Sequence, residues 1–218
     1  LFKDLRIKFV INITDIDDKI IAKANDYLNS NLKADNLLLE RLDDTEKNLN
    51  SICKTITNYY TEKLFEDLNE LNISLDDYIF PRATDYLVQM SKLITKLDRL
   101  DLIYEVDDGL YLDVIKYNDN IAEYGRLKKN VLKLDNITRL ESKQTKHPAD
   151  FAIWKFSKEN EPIYTIETEL NGKKSTIEGR PGWHLECSAM STSLLGEVFD
   201  IHLGGIDLLF PHHENDLA

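Results

Sequence analysis

Hydrophobic and polar positions change their period several times along the chain, and each change predicts an element. Arg6-Ile7-Lys8-Phe9-Val10-Ile11 is β-prone and runs into a polar stretch ending at Asp18, after which a helix is expected from about Lys19. Strand, loop and helix in that order form the α/β pattern. Residues 44–71 place Leu49, Ile52, Cys53, Ile56, Tyr60, Leu64, Phe65 and Leu68 at three-four spacing, which predicts a long amphipathic helix with Cys53 on its buried stripe. Pro81 breaks the chain, and helical periodicity returns over residues 83–102 through Leu87, Met90, Leu93, Ile94 and Leu97.

The period then falls to two. Residues 104–117 alternate around Asp107-Asp108-Gly109, a turn pattern that predicts a hairpin, and strands are expected at residues 151–156 and 163–170. Asn171-Gly172 is a hairpin turn leading into residues 173–177. Beyond Gly179-Arg180-Pro181-Gly182 the expected elements are a helix over 184–195, a strand over 198–202, a glycine turn at Gly204-Gly205 and a helix from His212. The sequence thus predicts an α/β protein in three parts: residues 1–80, an inserted α+β module over 81–178, and a return of the α/β rhythm over 179–218.

Composition narrows the class. With 218 residues and 42% hydrophobic content, the chain can build one ample core or two modest ones. Its apolar runs fall short of the roughly 20 residues a membrane span needs, and no basic segment followed by an apolar core opens it. A soluble, untargeted protein with no membrane partner is expected. Cys53 and Cys187 can in principle pair, but two cysteines make no disulfide scaffold, so a reducing cytoplasm fits. The net charge of −12 repels a phosphate backbone, and basic residues cluster only weakly at Arg126-Leu127-Lys128-Lys129, so charge argues against RNA binding by this segment.

Four of the five histidines lie in residues 184–218, together with Cys187 and several carboxylates. A helix beginning near His212 places His212 and Asp216 on one face, a spacing that lets an imidazole and a carboxylate grip one cation, with Cys187 adding a soft thiolate from another helix. The competing reading makes Cys187 a small buried hydrophobe and the histidines ordinary helix-terminal residues. His213, about 100° round the helix from His212, is the weaker ligand candidate. Gly204-Gly205 and Asp207 follow an expected strand end, where α/β folds leave backbone amides free for ligands, although such a pair is more often a turn. Of Asp15, Asp17 and Asp18, two or more are expected to cap the helix or face solvent, while Thr14 can point inward. Trp183 after Pro181-Gly182 is either a core tryptophan or a movable aromatic lid.

Five blocks, in order, resemble the cysteinyl-tRNA synthetases: Asn12-Ile13-Thr14-Asp15-Ile16-Asp17-Asp18-Lys19; Pro81-Arg82-Ala83-Thr84; Asp150-Phe151-Ala152-Ile153-Trp154-Lys155; Arg180-Pro181-Gly182-Trp183-His184-Leu185-Glu186-Cys187-Ser188-Ala189-Met190; and the stretch from Asp200 through Gly204-Gly205-Ile206-Asp207 to His212-His213-Glu214-Asn215. The resemblance spans almost the whole chain. It implies part of a class I synthetase Rossmann-like catalytic domain with a connective insertion, activating L-cysteine with ATP and Mg2+ and passing it to tRNA(Cys). It also implies one Zn2+ held by Cys187, His212 and Asp216, and a cysteine and adenylate pocket drawing on Thr14, Trp183, His202, Gly204, Gly205 and Asp207. A zinc–thiolate bond would reject serine where a purely hydrophobic pocket could not.

The chain departs from the family pattern in two places. Asp216 stands where the family has Glu, one methylene longer, and residues 165–178 replace a Trp- and Pro-containing run. The family's Cys-Gly-Pro-Thr segment, which holds the fourth zinc ligand, its His-Ile-Gly motif and its Lys-Met-Ser-Lys-Ser loop are not in this sequence. The segment alone is therefore expected not to charge tRNA, and no general base is nominated, because the chemistry needs positioning and charge neutralisation. Two other readings share these features: a ligase joining cysteine to an amino sugar in mycothiol synthesis, and a non-catalytic synthetase-like binding module.

Overall fold

Two short parallel strands, β1 (Phe9–Val10) and β2 (Tyr78–Ile79), open the computed structural model, which describes residues 7–29, 48–129, 132 and 144–218. Their ladder extends past the strands, with Ile11 N donating to Ile79 O at 2.9 Å and Ile13 N to Pro81 O at 2.8 Å. Arg6, expected in the first strand, and residues 44–47, expected in the long helix, lie outside the described residues. By contacts the chain divides into two compact units, Leu1–Asp85 with Glu159–Pro162, and Tyr86–Lys158 with Ile163–Ala218.

In the first unit, Asp17 Oδ1 accepts from Ile20 N at 2.7 Å and starts α1 (Asp18–Asn29), as a capping carboxylate should. Asp18 is exposed, whereas Asp15 is buried and accepts from Thr84 N at 3.0 Å and Thr84 Oγ1 at 2.5 Å, tying two of the recognised blocks together. Helix α2 (Leu49–Glu70) is capped by the Asn48 side chain and packs Ile52, Cys53 and Ile56 on Ile21 and Ala24 of α1. Burial pushes the Cys53 thiol up to about 11, so it is an inert core group. Past Ile56 the buried stripe runs through Thr57 and Thr61, whose hydroxyls return to carbonyls four residues back at 2.7 and 2.8 Å. Tyr60, expected on the stripe, is instead exposed and accepts from Lys23 Nζ at 2.6 Å.

The second unit is built on an antiparallel sheet of order β3-β4-β5-β7-β6: β3 (Ile103–Val106), β4 (Gly109–Leu112), β5 (Phe151–Phe156), β6 (Tyr164–Leu170) and β7 (Lys173–Pro181). Helix α3 (Leu87–Arg99) buries Met90 and Ile94 and packs along β6. The β-prone run after Asp107-Asp108 ends early. Asp113 accepts from Lys116 N at 3.0 Å and caps α4 (Val114–Asn120), so Val114 and Tyr117 are buried from a helix rather than a strand. Asn171 and Gly172 turn the β6–β7 hairpin with φ of 52° and 71°, the left-handed pair that this turn demands.

Strand β7 runs past the expected end at Ile177, through Gly179, Arg180 and Pro181. A Cβ on Gly179 would lie 2.0 Å from Lys155 O, so that glycine marks a close strand approach. Helix α5 (Trp183–Leu195) then crosses β5, seating Leu185, Ala189 and Met190 in the core. The strand expected over residues 198–202 does not form: alternation gives a strand a face, but no described strand offers a ladder partner, and Val198 and Ile201 are exposed. A kinked turn at Leu209–His213 leads into the one-turn helix α6 (Glu214–Leu217), close to the expected helix start. The mixed α and β architecture is as expected. No described helix is long and apolar enough to cross a membrane.

Candidate functional site

Helix α5 begins where Gly182 N donates to Ile153 O at 2.8 Å, and a Cβ on Gly182 would come within 1.9 Å of Ala152 O. Only glycine brings the chain this close to β5, and that approach sets the direction in which Trp183, His184 and Cys187 leave the helix. Facing them, the turn before α6 and α6 itself carry His212, His213 and Asp216.

His212 is at the centre. Its Nε2 lies 3.6 Å from Cys187 Sγ and 3.3 Å from Asp216 Oδ2. Its Nδ1 lies 2.9 Å from His184 Nδ1, a distance at which one ring donates and the other accepts. The Trp183 ring stacks on the His212 ring at 3.9 Å, with 18° between planes, and shields it from water. Burial pushes His212 down to about 4, against the opposing pull of Asp216. Burial likewise pushes Asp216 up to about 6, with His212 drawing it back. Neither Asp216 oxygen has a hydrogen-bond donor, an expensive state for a buried carboxylate.

Among the described residues, two trios bring ligand atoms within 4.8 Å of one another: His184, His212 and Asp216, and His202, His213 and Asp216. Cys187 is in neither trio; its Sγ touches His212 Nε2. Asp216 belongs to both trios, with His202 Nε2 3.9 Å from its Oδ2 and His184 Nδ1 3.7 Å from its Oδ1. His213, the weaker candidate by helical phase, turns its ring edge-on to His202 at 5.1 Å and has both ring nitrogens buried without a partner.

A cavity of about 620 Å³ opens beside these groups, lined among others by Cys187, His202, Gly204, Gly205, His213 and Asp216. A Cβ on Gly204 would lie 2.1 Å from the His213 ring, so this glycine too serves close approach. Asp207 is exposed in the turn Ile206–Leu208 and does not line the cavity; Trp183 sits over His212 rather than in the wall. Thr14 belongs to the first unit, half-buried between Ile13, which bridges to Arg82, and the Asp15 clamp. Sequence reasoning missed His184. The signal was there, since it stands three residues before Cys187 on one helix face and within the same block.

The model of the family described as "tRNA synthetases class I (C) catalytic domain" matches residues 2–218. A cysteine–tRNA ligase of Finegoldia magna is 40% identical over 220 residues, covering 100% of this chain and 40% of that protein. One of Encephalitozoon cuniculi is 38% identical over 214 residues, 97% of this chain and 37% of that protein, and one of Wolbachia pipientis is 40% identical over 215 residues, 98% and 40%. The chain thus spans about two fifths of the length of the curated relatives it matches. With the matching blocks and the mixed α/β architecture in place, the chain belongs to the class I (C) tRNA synthetase catalytic domain family.

Proposed function

We propose that this chain forms the cysteine-recognising part of a cytoplasmic cysteine–tRNA ligase, which couples ATP cleavage to activation of L-cysteine and its transfer to tRNA(Cys). The observation that carries the reading is that His212 Nε2 lies within reach of both Cys187 Sγ and the donorless Asp216 carboxylate. Tetrahedral zinc with bonds of about 2.3 Å to sulfur and about 2.0–2.1 Å to nitrogen or oxygen separates a sulfur from a nitrogen by about 3.6 Å and a nitrogen from an oxygen by about 3.4 Å. The separations here are 3.6 and 3.3 Å. A soft thiolate, an imidazole and a carboxylate suit that metal, which when bound would supply a Lewis acid that holds a substrate thiolate and discriminates against a hydroxyl. The fourth ligand would come from polypeptide outside this sequence.

The chain's own side chains prepare that site. Depressed basicity keeps His212 neutral at physiological pH, and an Nδ1–H donated to His184 would leave the Nε2 lone pair for the metal. Trp183 excludes water from one face of the ring. His202, Gly204 and Gly205 line the cavity in which the amino acid and adenylate would lie. Choice of tRNA as acceptor rests on the names of the relatives.

The test is cysteine-dependent ATP–pyrophosphate exchange by the full-length protein, together with its zinc content. Cys187→Ser is expected to lower both by at least about tenfold, since even loss of an outer-shell partner costs that much. Equal exchange in the two proteins, with no zinc in either, would refute the assignment.

A further inference from the structure

Glu214 stands between His212 and Asp216, and its carboxylate is 1% exposed. It faces no cation. Its Oε1 accepts from Gly125 N at 2.9 Å and Arg126 N at 3.0 Å, and its Oε2 from Leu127 N at 2.8 Å. Gly125, at φ 95°, lets successive N–H groups converge on one anion. The contacts continue on both sides: Tyr124 donates its hydroxyl to Asn215 Oδ1, Arg126 Nη2 reaches Leu217 O at 3.4 Å, and the Lys128 ammonium lies 5.4 Å from the Phe210 ring centroid. Residues 124–128 therefore form a strap along residues 210–217. The weak basic cluster in this stretch contributes mainly backbone amides.

Helix α6 is one turn long, too short to hold its own shape, yet it carries Asp216 and follows directly on His212. We propose that Glu214 is a positioning residue: by gripping three strap amides it fixes the turn so that His212 and Asp216 keep the separation a metal needs, and it seats Leu127 in the cavity wall. The inference rests on the zinc reading above. A carboxylate is required because both oxygens must accept; a glutamine would turn an NH2 group toward at least one backbone N–H.

The experiment re-titrates the metal-free full-length protein with Zn2+ against a competing chelator, records the Co2+ absorption spectrum, and follows hydrogen exchange at residues 125–127. Glu214→Gln is expected to raise exchange there, weaken zinc binding by about 10–100-fold and alter the Co2+ spectrum. Arg126→Ala, which keeps its backbone N–H, is expected to bind zinc within about twofold of wild type, since an exposed side-chain contact contributes little. A Glu214→Gln protein with wild-type zinc affinity and Co2+ spectrum overturns the proposal, whatever its exchange. If that variant does not fold, Tyr124→Phe tests the strap at its other end. Loss of one neutral hydrogen bond should weaken zinc about fivefold, and unchanged affinity overturns the idea. Wild-type protein that binds no zinc defeats the metal reading as well, whereas wild-type binding matched by Glu214→Gln defeats this inference alone.

Discussion

Asp216 costs the metal-free protein stability, and the size of that cost can be worked out. Its carboxyl is held up at about 6 from 3.8, chiefly by burial, so keeping it ionised at pH 7.5 costs roughly 3 kcal/mol relative to the unfolded chain, at about 1.36 kcal/mol per pKa unit. A carboxyl whose folded pKa is raised favours folding fully below its unfolded value and loses that contribution as pH rises through about 6. Asp216→Asn keeps the shape and removes the charge. Without metal the variant should exceed wild type by up to roughly 3 kcal/mol at pH 7.5, with the gain shrinking between pH 6 and 4 and vanishing near 3.8. His212, pushed down to about 4, acts in the opposite sense: its stabilisation is present above 6.5 and lost as pH falls toward 4, and although removing Asp216 also removes the charge that draws it upward, at pH 7.5 the ring is neutral in both proteins. Saturating zinc should reverse the order, because a ligand at about 1,000 times its Kd adds about 4 kcal/mol to the protein that binds it. The assay is denaturant-dependent hydrogen exchange of the core amides of Leu185 and Met190, with chelator and with zinc, at pH 5 and 7.5. A metal-free Asp216→Asn protein less stable than wild type at pH 7.5 would refute the reasoning.

Two further predictions concern the scaffold. Thr84→Val leaves the buried Asp15 carboxylate without its hydroxyl donor and should cost about 1.5–3 kcal/mol in denaturant unfolding, with Thr84→Ser close to wild type. Gly182→Ala sets a methyl 1.9 Å from Ala152 O, and because backbone cannot yield cheaply it should lower stability by about 1–3 kcal/mol and weaken zinc binding by displacing Cys187, both read by melting and metal titration.

Much of the architecture was legible in the sequence because its long helices bury one face. The periods through Ile52, Cys53 and Ile56, and through Met90 and Ile94, mark the buried sides of α2 and α3, and Asn171-Gly172 marks the hairpin turn. Misreadings occurred where local pattern depends on partners distant in sequence. Residues 198–202 are β-prone but find no described ladder partner; the strand expected to end at Ile177 continues to Pro181 because Gly179 allows a close approach; Asp113 ends a β-prone run by capping a helix. The site shows the same division. The spacing of His212 and Asp216 is a helical regularity visible in sequence, whereas the grip of Glu214 on amides 125–127 joins segments 87 to 89 residues apart and involves backbone that no composition argument selects.

The β6–β7 hairpin docks on α3 through a row of polar contacts. Ser91 donates to Glu167 O, Thr168 Oγ1 donates to Ser91 O at 3.3 Å, Glu169 N donates to Thr95 Oγ1 at 3.1 Å, and Asn171 N donates to Asp98 Oδ2 at 2.7 Å. Such contacts are directional and individually modest, and water can replace those nearest the hairpin tip. The hairpin is thus latched to the helix by polar catches as well as by apolar packing. In evolutionary terms this makes it a tolerant attachment point: the tip can lengthen, shorten or drift in sequence while the core around Trp154 and Met190 keeps its packing, and with it the helix that carries Cys187.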